Sequence, residues 1–397
     1  MARVVYREHE GGSGFWLALA GLGALIAAGL ASAWYMEHNG HVVTGMDNQV
    51  VWGMPHVFAV FLIVAASGAL NVASVSSVFG REVYKPMARL SALLALALLA
   101  SGLIVLVLDL GRPERLIVAM TTYNFSSIFA WNIFLYTGFM VIVGAYLLTM
   151  MGTGLDGFTK PVGLAAFLWR LALTTGTGSI FGWLVGREAF DAAVLAPLFV
   201  AMSLALGLAV FILVLAALYR REETALTPAL YDRLGRLLGI FVAAVLYFTA
   251  VLHLTNLYAA EHQNVERFIL WNGGLITQLF WGVQILLGSF VPLALVFLKS
   301  SGSGKTPVLL ASALVILGGL AQLYVIIIGG QSYPMVLFPG MIETSSFFDG
   351  AITAYRPSLP EFLLGIGGVA LALAITLVAV RILRILPTTL AEAEAGK

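Results

Sequence analysis

Residues 101–116 read "SGLIVLVLDLGRPERL". An unbroken apolar run reaches Leu108 and then delivers Asp109, Arg112, Glu114 and Arg115 in quick succession. A helix that changes from all-apolar to charged within one turn marks the place where hydrocarbon gives way to headgroups and water. The segment therefore reads as the end of a membrane span. Working outward, apolar stretches of about 20 residues recur at 15–34, 54–79, 87–108, 130–151, 162–185, 192–218, 236–258, 272–298, 307–328 and 361–384. The expected fold is all-α: a polytopic membrane protein with about ten transmembrane helices.

Composition agrees. Hydrophobic residues make up 60% of the 397 positions and charged residues 10%, with a mean hydropathy of +0.97. A soluble protein carries about 25% charge. The net charge of +1 offers nothing to nucleic acid. Cysteine is absent, so the protein has no means of ligating an iron–sulfur cluster, a cysteine-bound zinc or a c-type haem. Redox work would need a bound organic cofactor, a histidine-ligated haem or a partner subunit. Only His56 and His253 come near membrane depth, which limits bis-histidine haem to one. The first apolar run is longer than a signal-peptide core and follows mixed acids and bases in "RVVYREHEGGSG", so it reads as a retained span.

Ten spans put both termini on one side. That side holds fifteen of the 21 Lys and Arg residues and the opposite side five, with Arg170 inside the fifth span. Positive charge accumulates on the cytoplasmic side, so both termini are expected in the cytoplasm of a bacterial inner membrane. Glu37, Asp47, Asp109, Glu114, Glu188, Asp191, Glu261 and Glu266 lie towards the outer face, as do all histidines except His9. The ionisable chemistry is therefore expected outside.

Spans 2 and 3 flank the turn "GREVYKP" at 80–86. The stretches from His56 to Gly80 and from Pro86 to Asp109 are nearly equal, so at about 1.5 Å per residue both side chains reach one depth. Span 4 opens at that level with Trp131 and Asn132. The preceding loop adds Arg112, Glu114, Arg115, Tyr123 and Asn124. Glu188 follows span 5, and His253 lies about one turn below the outer end of span 7. Ionisable groups at membrane depth cost on the order of 3 kcal/mol each and line cavities or pathways. A lipid-soluble quinone suits this set: its carbonyls need hydrogen-bond donors and its reduction needs two protons, while tryptophan and tyrosine can flank the ring. Plainer readings stand beside each residue. Asp109 with Arg112 reads equally as a helix-end ion pair, His56 as an interfacial anchor, Trp131 as part of an aromatic belt, and His253 as a partner for a backbone carbonyl.

Arg170 reads first as a side chain extended to the cytoplasmic face, and second as part of a proton route with Asn71, Thr174 and Thr175. The run 220–236 reads as a solvated loop. "SSGSGKTP" at 300–307 lacks the strand and spacing of a phosphate-binding loop.

The stretches "GMPHVFAVFLIVAASGALNVASVSSVFG", "LDLGRPERL" and "NFSSIFAWNIFLYTG" resemble the NrfD/PsrC superfamily of quinone-interacting membrane subunits, and within it the DsrP branch linked to dissimilatory sulfite reductase. The resemblance extends over most of the sequence and is sharpest over 50–137. It implies two four-helix bundles, at 54–185 with the quinone site and at 192–328, flanked by two further helices. A cytoplasmic N-terminus at 1–14, a periplasmic loop at 329–360 and a last helix with cytoplasmic tail at 361–397 complete the plan. It also implies menaquinone or ubiquinone bound near the outer face, no haem or cluster in this protein, and a periplasmic ferredoxin-like iron–sulfur subunit. A multihaem cytochrome c and other Dsr-type membrane and cytoplasmic subunits are further associates that the resemblance allows. His56 matches a family histidine that contacts quinone, and Asp109 the acidic position after the next helix. Some members place an asparagine one turn before the histidine; here it is Trp52. Taken with the depth reading, which supplies the residues beyond His56 and Asp109, the expected site has His56 and Asp109 as the reacting pair, with Trp52, Arg112, Tyr123, Trp131 and Asn132 around the ring. Glu188, Arg170, Asn71 and His253 would carry protons, Glu114 and Arg115 would meet the partner, and no metal is expected. The competing class is a secondary transporter or ion-conducting protein, for which "TTGTGSIFG" at 174–182 is a candidate broken span.

Overall fold

In the computed structural model, residues 4–220, 226–298, 304–335 and 350–388 are described. Among them are ten helices long and apolar enough to cross a bilayer: α1 (Ser13–Asn39), α2 (Met54–Ser77), α3 (Glu82–Leu108), α4 (Ile128–Met151), α5 (Asp156–Gly182), α6 (Leu195–Leu218), α7 (Pro228–Tyr258), α8 (Leu275–Phe297), α9 (Lys305–Ser332) and α10 (Leu359–Ile382). Local sequence sets several starts. Pro55 occupies the first turn of α2, where a missing N–H is harmless. Thr227 caps α7 by accepting from the Leu230 N–H at 3.2 Å, with Pro228 following.

Helices α2, α3, α4 and α5 pack in a closed ring, and α6, α7, α8 and α9 in a second. The rings meet where α6 packs on α2 and α5 and where α9 touches α2. At the centre of that seam Gly68 faces Gly207. A Cβ on Gly68 would lie 1.5 Å from the Ser203 carbonyl oxygen, and one on Gly207 would lie 2.1 Å from the Ala69 nitrogen. Without a hydrophobic drive between helices in lipid, such close backbone approach is what makes dispersion contacts strong. Helices α1 and α10 pair with each other outside the first ring, α10 lying against α2 and α3. The segments before α1 and after α10 meet on one side: β1 (Tyr6–Arg7) pairs antiparallel with β2 (Leu386–Pro387), and the Arg89 guanidinium stacks over the Tyr6 ring at 3.7 Å.

Four expectations are corrected. The run 220–236 is not all loop, because the Thr227–Pro228 cap starts α7 inside it; 221–225 lie outside the described residues. Helix α9 continues past 328 to Ser332, through a π-helical segment at Val325–Gly329. The rest of the expected 329–360 loop lies outside the described residues over 336–349, as do 299–303 and the tail 389–397. Arg170 does not extend to the membrane surface. Its side chain is buried, donating to the Ser67 carbonyl at 3.3 Å and to Asn71 Oδ1 at 3.1 Å. Those acceptors on α2 lie close enough to replace water, so the interior position wins over snorkelling. Nor is Asp109 paired with Arg112.

Candidate functional site

Asp109 takes the C-cap position of α3, its N–H bonded to the Val105 carbonyl at 3.1 Å. A carboxylate there opposes the helix dipole and needs a compensating partner. The partner is His56: Nδ1 stands 2.7 Å from Asp109 Oδ2. Arg112 is exposed and makes no ion pair among the described residues. Asp109 is 4% exposed, and its Oδ1 has no hydrogen-bond partner among the described residues. With Nδ1 committed to the carboxylate, Nε2 is the imidazole nitrogen left for a ligand.

A cavity of about 440 Å³ opens beside that imidazole between α2, α3, α4 and α5. Its walls are apolar, among them Val60, Ile63, Leu103, Leu106, Val107 and Ile180, and His56 and Trp52 stand at one end of the lining. Asp109 does not line it, so the order is cavity, then His56, then Asp109. The Trp52 ring stacks on His56 (centroids 6.1 Å apart, planes at 24°) and on Phe190 (6.1 Å, 25°), with Phe181 edge-on at 5.7 Å.

A second polar group lies on the α4–α5 side. Asn132 donates both amide hydrogens, to the carbonyls of Ile128 (2.9 Å) and Gly176 (3.1 Å). Its Oδ1 is an acceptor and stands 3.5 Å from the Thr177 hydroxyl. One turn on, the Tyr136 hydroxyl is 3.4 Å from Thr177 Oγ1, and both residues line the cavity. Tyr136 and Thr177 escape the sequence reading. The signal was present in "NIFLY": a tyrosine four residues after Asn132 shares its helix face.

The remaining expected residues fall into separate groups. Trp131 is exposed, its indole N–H donating to the Phe125 carbonyl at 2.9 Å, in an aromatic cluster with Tyr123, Phe125 and Phe134 outside the cavity lining. Arg112, Glu114 and Arg115 are exposed around the short turn Pro113–Arg115. Arg170 and Asn71 meet below the cavity, next to the hydroxyl pair Ser67 and Thr174. In the second ring His253 Nδ1 stands 2.7 Å from Glu266 Oε2, whose other oxygen accepts from Asn256 at 2.8 Å. Glu188, between α5 and α6, is partly buried with Oε2 unpartnered among the described residues. Burial pushes its carboxyl above the usual carboxylate range, with His262 pulling the other way.

The loop carrying Trp52 is anchored from two sides. Glu361, buried on α10, accepts from the Gly45 N–H (2.7 Å), the Ser358 N–H (2.7 Å) and the Tyr355 hydroxyl (2.6 Å). Tyr355 in turn accepts from the Met54 N–H at 2.7 Å. Burial and the bond to Glu361 hold the Tyr355 hydroxyl well above the usual phenol range. Arg187 donates to the carbonyls of Gln49 (2.8 Å) and Gln331 (3.2 Å).

The family model for polysulphide reductase, NrfD, matches residues 42–334, from this anchored loop through both helix rings. The chain belongs to the NrfD family. Among its relatives is an Hdr-like menaquinol oxidoreductase integral membrane subunit of Archaeoglobus fulgidus, 28% identical over 98% of both proteins. A putative dimethyl sulfoxide reductase membrane subunit of Halobacterium salinarum is 27% identical over 93% of this protein and 90% of that one. A polysulfide reductase chain of Wolinella succinogenes is 23% identical over 72% and 96%. As an NrfD protein, this is a multi-pass membrane protein whose matched region includes the cavity and the His56–Asp109 pair.

Proposed function

We propose that this NrfD protein is the quinone-reactive membrane subunit of an electron-transfer complex, with the quinone site in the ring formed by α2–α5. The observation that carries the reading is the His56–Asp109 pair standing at one end of a 440 Å³ apolar cavity. The donor set suits a prenylated ring. His56 Nε2 is available to one ring oxygen and the Tyr136 hydroxyl to another, and the aliphatic walls suit the isoprenoid tail. The relatives' names, menaquinol oxidoreductase and polysulfide reductase, support the same assignment.

A bound quinone supplies two-electron chemistry coupled to two protons. His56 accepts or donates a proton at Nε2. Asp109 fixes the ring and stabilises the imidazolium, and its open Oδ1 offers the next resting place for a proton. Asn132 accepts from a hydroxyl and so favours the reduced form. From the cavity floor, Thr177, Thr174, Ser67, Arg170 and Asn71 form a descending polar string that serves as the inner leg of a proton route. Glu188 and His253 serve its outer end.

Electrons pass to or from a periplasmic iron–sulfur subunit of ferredoxin type, docked over Glu114 and Arg115 on the exposed α3–α4 connection, in a complex of the sulfur-metabolism kind. The termini face the cytoplasm of the inner membrane.

The decisive experiment is menaquinone-analogue binding to the purified protein in lipid nanodiscs. The wild type should bind, and His56→Ala should raise the Kd at least tenfold. Equal affinity in the variant would sink the proposal.

A further inference from the structure

Trp52 covers His56, yet among the described residues no hydrogen bond from the first ring holds its backbone. That task falls to Gln331, at the outer end of α9 in the second ring. Gln331 is 1% exposed, and its amide uses every hydrogen-bonding position. Oε1 accepts from the N–H groups of Val51 and Trp52, both at 3.0 Å. Nε2 donates to the Trp52 carbonyl at 3.0 Å and to the Ile327 carbonyl of its own helix at 2.8 Å. One side chain thus grips Trp52 by both its N–H and its C=O.

The neighbourhood has the same purpose. The π-helical segment Val325–Gly329 ends two residues before Gln331. One extra residue per turn rotates the following helix face by about 100°, and this rotation delivers residues 330–332 to the loop. Gly330 lies against Phe190, where a Cβ would come within 2.5 Å of the ring. Phe190 forms the far side of the stack Phe190–Trp52–His56. Gln49 closes the same seam by donating to the Ser332 carbonyl at 2.9 Å.

We infer that Gln331 is a positioning residue for the quinone site: from the second ring it sets the Trp52 plane, and through Trp52 the pose of the His56 imidazole. The affinity of a site built in α2–α5 is therefore governed in part by α9. This rests on the quinone reading above, and the controls separate the two.

The test uses full-length protein in nanodiscs with menadione as probe, read by quenching of tryptophan fluorescence; the signal from this site is identified by its loss in Trp52→Phe. Gln331→Met keeps the volume and removes every bond to Val51 and Trp52. It should raise the menadione Kd about tenfold, the scale of one misplaced polar contact. Gln322→Met is the control: Gln322 is equally buried in α9 but bonds Thr249, away from the loop. It should lower the thermal midpoint and leave Kd unchanged. Should Gln331→Met not fold, Gly330→Ala asks the same question by driving Phe190 into Trp52, and it too should weaken binding. A wild-type Kd in Gln331→Met or Gly330→Ala, or an equal rise in Gln322→Met, overturns the inference while His56→Ala still raises the Kd at least tenfold. If His56→Ala has no effect, the quinone site itself is wrong.

Discussion

The imidazole of His253 stands 2.7 Å from the Glu266 carboxylate, the same separation that joins His56 to Asp109. The two pairs differ in what lies beyond the ring: His56 lines the cavity and His253 does not. Removing one partner of a buried pair leaves an uncompensated charge. His253→Ala should therefore lower stability by about 3 kcal/mol while menaquinone-analogue affinity stays at the wild-type level. Thermal unfolding and binding on the same nanodisc sample check both halves.

Asp109→Asn keeps the shape of the side chain and removes its charge. Since Asp109 acts from behind His56, quinone affinity should change little, whereas quinol turnover by the assembled complex should fall about 100-fold. Steady-state kinetics with an artificial electron acceptor will show a loss in kcat rather than a rise in KM.

Tyr136→Phe deletes one hydroxyl on the α4–α5 side of the cavity. It should weaken quinone binding about five- to tenfold, as expected for one lost hydrogen bond, with the thermal midpoint unchanged. An affinity equal to wild type would assign the second ring oxygen to another donor.

Glu188 provides a pH test. Its carboxyl is held above the ordinary value of 4.5 by burial, so folding favours the neutral form. Its contribution to stability is complete below the unfolded value and is lost as pH rises through the folded one. Glu188→Gln should accordingly match the wild-type thermal midpoint near pH 4 and exceed it increasingly towards pH 8.

Gly68→Ala places a methyl group against the backbone of α6. Overpacking there should cost about 3 kcal/mol, read as a lowered unfolding midpoint; a neutral result would mean the helices separate freely.

Much of the fold was legible because hydrocarbon thickness acts on composition alone: ten apolar runs became ten helices. Equal stretches on either side of the 80–86 turn likewise put His56 and Asp109 at one height, where they touch. Depth carries no azimuth, however. It could not distinguish Trp131, which joins the aromatic cluster of Tyr123, Phe125 and Phe134, from Asn132, which points inward one residue later. Nor could it tell that Arg170 finds acceptors on α2, since that depends on which faces of two helices meet. Gln331 was hidden because its role depends on a π-helical segment, and hydropathy does not distinguish i→i+5 from i→i+4 bonding.

The contact between Gly68 and Gly207 has a mechanical meaning. Backbone contact at these two glycines, together with the packing of α6 on α5 and of α9 on α2, joins the two rings along a seam rather than at a single point. A side chain at either glycine would wedge that seam open and load every bond that crosses it, those between Gln331 and Trp52 included.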